Sequence, residues 1–317
     1  MAAVSTERMR AGPASDAVIG NVVWVAPKSL WTSMMIIVAL VAGPLTISWD
    51  AVAVFACLTA TTICLGHSVG MHRLLIHRSF AIPMWLEYIL VYLGTLVGMA
   101  GPFGMIYAHD IRDWAQRQRV CHDLFAHRRS FFQDAFWQMH CAVELRHPPV
   151  FVIEDRVARD KVYRFLEATW MWQQLPMALL LFAFGGVSWV VWGVAVRVSV
   201  SLTGHWLIGH FAHRSGQQTW SVDDVAVQGF NLNRFGLVTF GESFHGNHHA
   251  FPQSARLGLQ SGEIDLGWWF IKLLERQGLA SGIKLPDSVP HREGLRLVAK
   301  PHAHQRTPGY GISATRV

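Results

Sequence analysis

Charge is scarce in this chain: Asp, Glu, Lys and Arg make up 15% of its 317 residues, against 51% hydrophobic residues. Soluble domains carry about a quarter charged residues, so the shortage argues against an ordinary soluble fold. Cysteine is scarce too. Cys57, Cys64, Cys121 and Cys141 form no CxxC pair, which excludes a disulfide framework and points to a reducing cytoplasm. No early apolar run of signal-peptide type, no internal repeat and no fused haem-binding or iron–sulfur domain is visible.

What is abundant is apolar length. Mean hydropathy is +0.26 and there are 14 tryptophans, the composition of a membrane-embedded protein. The net charge of +6 then reads as basic residues at a membrane face, with no nucleic acid implied. Apolar runs at about 30–47 and 51–66 are joined by Ser48-Trp49-Asp50, and runs at about 169–184 and 188–206 by Gly185-Gly186-Val187. Each approaches the ~20 residues that cross a bilayer, so each pair reads as a helical hairpin. Arg197 stands inside the last run, to snorkel, to pair within the bundle or to mark where that helix leaves the membrane. A fifth apolar stretch, 83–107, carries Glu87 and Gly101-Pro102. If it crossed, the histidines at 72–77 and at 245–249 would face opposite sides of the bilayer. An interfacial 83–107 keeps them together, and leaves Arg73, Arg78, Arg112, Arg117, Arg128 and Arg129 on the same side, while both hairpin turns lack Lys and Arg, as the positive-inside rule expects.

The expected architecture is an all-α integral membrane protein with four transmembrane helices in two hairpins and a cytoplasmic helical cap holding a histidine-rich metal centre. Residues 1–29 read as a loosely ordered cytoplasmic tail, 30–286 as the membrane domain and 287–317 as a second loose tail. The inner membrane is the expected location, with both termini cytoplasmic.

Histidine is concentrated where the chemistry must lie. His245, His248 and His249 form an HxxHH cluster, and on a helix all three share one face. Neutral imidazole is the commonest metal ligand and suits iron, zinc, copper and nickel. His72 and His77 form an HxxxxH pair just after the second run. His205, His210 and His213 follow the fourth, and one of His210 and His213, three apart on one face, is expected to be a ligand. Glu242 and Asp265 are the carboxylates placed to fix an imidazole tautomer. His140, His147, His291, His302 and His304 read as surface histidines.

His72-Arg73-Leu74-Leu75-Ile76-His77-Arg78-Ser79-Phe80 and the segment Gly241 to Pro252, separated by a two-helix hairpin, resemble the first and third histidine boxes of membrane-bound fatty acyl desaturases, the stearoyl-CoA desaturase type and its bacterial relatives. The resemblance runs from about Ile63 to Leu259. It implies two iron ions and O2 acting on a fatty acyl thioester or lipid, with electrons from a ferredoxin, rubredoxin or cytochrome. By the same resemblance, His72, His77, His245, His248 and His249 are ligands. Cleaving an unactivated C–H bond requires such chemistry, since no acid or base can do it.

One departure stands out. That family carries a second box of the form HRxHH, and no HxxHH lies between Arg78 and His205. The corresponding region offers His109 and Asp113 four apart, and His122 with His127 five apart. These are either replacement ligands or solvated residues. The Asn that precedes the last-helix histidine in the family is also missing. A redistributed ligand set leaves open desaturation, hydroxylation by the same oxidant, and a silent lipid- or metal-binding relative. Asn231, Asn233 and Arg234 are candidates for ordering the third box.

Overall fold

The computed structural model describes residues 7–298. The outer parts of both expected tails, with His302 and His304, lie outside the described residues. The described residues are mostly helical, with three small two-stranded antiparallel sheets among them that the all-α expectation did not include.

Among the described residues, three helices are long and apolar enough to cross a membrane: α1 (Ala26–Leu45), α2 (Trp49–Ile76) and, after the shorter helices α3 (Met84–Thr95) and α4 (Pro102–Gln116), α5 (Gln174–Ala212). Pro27 opens α1, where its missing N–H costs nothing. Ser48 caps α2 by accepting from the Ala51 amide at 3.4 Å. Inside α5, Gly186 has φ +63° and ψ −154°, a backbone that side-chain-bearing residues avoid, and there the helix breaks into two limbs. The limbs pack on each other and on α1 and α2. The turn at Gly186 meets the α1–α2 turn: Ser188 Oγ donates to the Thr46 carbonyl at 2.5 Å, and Trp189 Nε1 donates to Asp50 at 2.6 Å. Leu40, Leu45, Leu179, Leu180, Phe182 and Phe184 are left exposed around this end.

The apolar stretch 83–107 is divided between α3 and α4. At ~1.5 Å per residue the 12 residues of α3 are too short to cross ~30 Å of hydrocarbon. α3 instead lies against α2 backbone to backbone. A Cβ on Gly66 would sit 2.3 Å from the Gly94 nitrogen, so only glycine permits this approach. Arg197 neither snorkels nor leaves the bundle. It is fully buried and donates to the Leu96 carbonyl at 2.6 Å, Gln174 Oε1 at 2.6 Å and the Gly193 carbonyl at 2.7 Å, tying α3 to both limbs of α5.

The tails are corrected where they are described. β1 (Met9–Arg10) pairs with β4 (Val150–Phe151), and β2 (Gly20–Trp24) pairs with β3 (Cys141–Leu145). The backbone N–H and C=O groups of residues 9–10 and 20–24 thus find partners more than a hundred residues along the chain, which a polar, short-range reading of the sequence cannot foresee. At the other end β6 (Leu295–Leu297) pairs with β5 (Trp220–Val222), and the ring of His291 meets Phe251.

Candidate metal centre

His72 and His77 close α2. In an α-helix, residues five apart point ~140° away from each other. Residues 61–76 are instead wound as a wide π-helix, and the His77 amide donates to the His72 carbonyl at 3.0 Å, a five-residue step. That winding makes HxxxxH a working pair. His109 from α4 and His248 from α6 (His245–Ala250) complete a quartet in which one ligand atom of each ring lies within 4.8 Å of all the others. His77 Nε2 and His109 Nε2 are 3.2 Å apart.

Carboxylates set two of these tautomers. His72 Nδ1 meets Glu242 Oε2 at 2.7 Å, and His109 Nδ1 meets Asp110 Oδ1 at 3.1 Å. An ionised carboxylate only accepts, so each Nδ1 carries the proton and each Nε2 keeps its lone pair. Burial pushes the Glu242 carboxyl up, but His72 and Arg73 outweigh it and hold it below the usual range. Burial, followed by neighbouring imidazoles, pushes His77 and His248 well below the usual histidine value, which keeps them in the neutral, metal-binding form. Asp110 is in turn held by Arg8 at 3.0 Å, and Arg8 also donates to the Ile76 carbonyl at 2.8 Å.

A trio stands beside the quartet. His245 and His249, four apart on α6, face His213 at the end of α5. Their Nε2 atoms form a triangle with sides of 2.9, 3.1 and 3.2 Å. His213 Nδ1 donates to the Gly209 carbonyl at 2.7 Å, so its Nε2 is bare. Burial brings His245 down to about 3. Nitrogen lone pairs this close repel unless a cation or a proton lies among them, and such an all-imidazole set suits a first-row transition metal. The short α6 is oriented from behind: Asn231 Oδ1 accepts from the Asn247 amide at 3.1 Å, and Glu263 accepts from the side-chain amides of Asn231 at 3.0 Å and Asn247 at 2.8 Å. Arg292, from the segment before β6, donates to the His249 carbonyl.

A third group joins His127, Asp134 and His210. Asp134 is completely buried, and its Oδ2 accepts from His127 Nδ1 at 2.9 Å, His210 Nδ1 at 2.7 Å and Trp206 Nε1 at 2.9 Å. The far nitrogens are also engaged, His127 Nε2 by Arg112 at 2.8 Å and His210 Nε2 by Arg214 at 3.3 Å. The His127 ring lies parallel to His213, at 5.2 Å and 11°.

Several expected members lie elsewhere. His210 does not join His213 although a spacing of three favours a shared face: its ring is drawn to Asp134, with Nδ1 donating to Oδ2 at 2.7 Å. Asp113 is outside all three groups and pairs with Arg117 at 2.7 Å, which, after the opposing effect of burial, holds its carboxyl below the usual range. His122 accepts from the Leu124 amide at 3.1 Å and joins no group. His205 joins none either. Asp265 bonds no histidine among the described residues: it caps the helix at Leu266–Arg276 and holds Arg73 through both oxygens, at 2.8 and 3.1 Å. Asp134, Asp110, Glu263 and Arg8 escaped sequence reading, since each acts on a histidine, or on the segment bearing it, through the fold; only Asp110, adjacent to His109, had a local signal.

No family model matches the chain. Among curated proteins, it is 35% identical to the sn-1 stearoyl-lipid 9-desaturase of Anabaena variabilis over 274 residues, 82% of this chain and 96% of the relative. It is 35% identical to the enzyme of that name from Synechocystis, over 81% of this chain and 79% of the relative. Against Delta-9 acyl-lipid desaturase 1 of Arabidopsis thaliana it is 33% identical, over 79% and 80%. With converging imidazoles at the ends of apolar helices and this extent of similarity, the chain belongs to the membrane-bound fatty acyl desaturase family.

Proposed function

We propose that this protein desaturates a fatty acyl chain with O2, at a two-iron centre held by the quartet His72, His77, His109 and His248 and the trio His213, His245 and His249. The observation that carries this reading is the convergence of seven imidazoles into two adjacent, buried groups. Bound iron supplies the O2-derived oxidizing power that unactivated C–H bonds require. The chain's own residues do the rest. Glu242, Asp110 and the Gly209 carbonyl keep protons on Nδ1 of His72, His109 and His213. Burial keeps the other imidazoles neutral. The apolar helices take up the alkyl chain, at ~0.8 kcal/mol per buried CH2. A separate electron-transfer protein provides the electrons.

The break at Gly186 supports counting four spanning segments, with the two turns at one membrane face and the histidines beyond the other. That arrangement and the arginine distribution support reading it as an inner-membrane protein with its site and termini in the cytoplasm. The test is lipid profiling of cells expressing the wild type and His248→Ala. A new double bond in the wild type, absent in the variant, is expected. A gain of one oxygen, or an unchanged profile, would overturn the assignment.

A further inference from the structure

The helix α6 is shared by both proposed metal groups: its six residues carry His245 and His249 of the trio and His248 of the quartet. A helix this short has little hold of its own. The carbonyls of a helix's last turn have no partner within it, and a cation there is favourable. At α6 that cation comes from 43 residues further along the chain, where Arg292 donates to the carbonyl of His249 itself.

Arg292 is carried on a strap, residues 289–298, that is fastened on both sides of it. Before it, Val289 is buried in one cluster with Ala250 and Phe251, and the His291 ring meets Phe251 at 5.7 Å. After it the chain turns at Gly294, where φ is +74° and a Cβ would sit 2.9 Å from the Asp223 Cβ, so the turn requires glycine. The Gly294 carbonyl accepts from the Asp223 amide at 3.0 Å, β6 pairs with β5, and the Val298 amide donates to the Thr219 carbonyl at 2.8 Å. The guanidinium is thus clamped over the end of α6, and among the described residues its one hydrogen bond goes to the helix that bears the ligands.

We infer that this strap is a working part of the metal centre: Arg292 is a positioning residue that fixes the His249 end of α6 and so sets how firmly the trio retains its metal. The inference rests on the two-metal reading of the site, but its test does not depend on turnover. The quartet should be spared, because three of its four ligands come from α2 and α4.

The experiment loads the metal-free full chain, in lipid nanodiscs, with cobalt(II) and follows transfer of the metal to an excess of chelator. The ion absent from His249→Ala identifies the trio. Arg292→Met keeps the aliphatic stem and removes the donor. It is expected to release the trio's cobalt about tenfold faster than the wild type, the scale on which supports behind metal ligands act, and the quartet's cobalt at the wild-type rate. Arg292→Lys, still a cation able to reach a terminal carbonyl, should recover most of the difference. If the Met variant fails to fold, Arg292→Gln makes the same comparison with a smaller acceleration. Unchanged release from Arg292→Met would overturn the inference. So would equal acceleration of both ions, which is general loosening, and so would a Lys variant as fast as the Met variant. A wild type that holds no more cobalt than His249→Ala sinks the two-metal reading and the strap with it. Selective release without any double bond formed in cells upholds the strap and sinks the desaturation reading alone.

Discussion

At the end of α5 two imidazole groups stand side by side, joined by the parallel rings of His213 and His127. In the trio, three Nε2 atoms face one another and find no other protein partner among the described residues, with at least the His213 lone pair bare. In the neighbouring group every ring nitrogen is already engaged, by Asp134 on one side and by Arg112 or Arg214 on the other. Two guanidinium groups at the far nitrogens oppose a further cation, whereas at the trio Arg292 reaches the His249 carbonyl and, among the described residues, no guanidinium donates to a ring nitrogen. Density of histidine therefore does not identify a metal site. The partner of each nitrogen does, and Asp134 turns two candidate ligands into a buried polar scaffold beside His213, the proposed ligand.

The largest effect that separates the two groups is expected from His249→Ala. Opening the trio should remove about half of the bound metal and abolish product, with the quartet still loaded; metal analysis per chain checks it, and full retention of metal would break the comparison. Asp134→Asn should act on stability instead. It leaves a buried network short of its anion, at a cost of about 3 kcal/mol, seen as a lower unfolding midpoint, with metal content close to wild type. Loss of metal in proportion to that of His249→Ala would make the third group a site after all.

A gentler test uses acid on the metal-free protein. His245 has its folded value lowered from 6.5 to about 3 by burial. Between those values the unfolded chain binds a proton that the folded chain does not, so stability is complete above pH 6.5 and falls as pH drops toward 3. Thermal unfolding against pH should show this decline, and His245→Gln should flatten it.

Much of the centre was legible. HxxHH was legible as a cluster but not as one point of convergence: the spacing of four puts His245 and His249 together on α6, whereas His248 joins the quartet instead. HxxxxH was legible as a pattern but not as a geometry, since it works only in the π-helical winding that closes α2. His109 could be named as a candidate and not distinguished from Asp113, four residues on. Its assignment needed His77 at 3.2 Å, whereas Asp113 is drawn off by Arg117. The same limit applied to His210, whose partner Asp134 is 76 residues away in the chain.

The amino-acid sequence by itself determined the solvent and the chemistry: long apolar runs select the bilayer, and an excess of neutral imidazole selects a transition metal. Those depend on composition and short-range periodicity, which survive without a fold. Tertiary structure decided which imidazoles are free to bind. That depends on which acceptor reaches each nitrogen, and acceptors such as Asp134, Glu242 and the Arg8-held Asp110 act on histidines through packing between segments, where spacing along the chain carries no information.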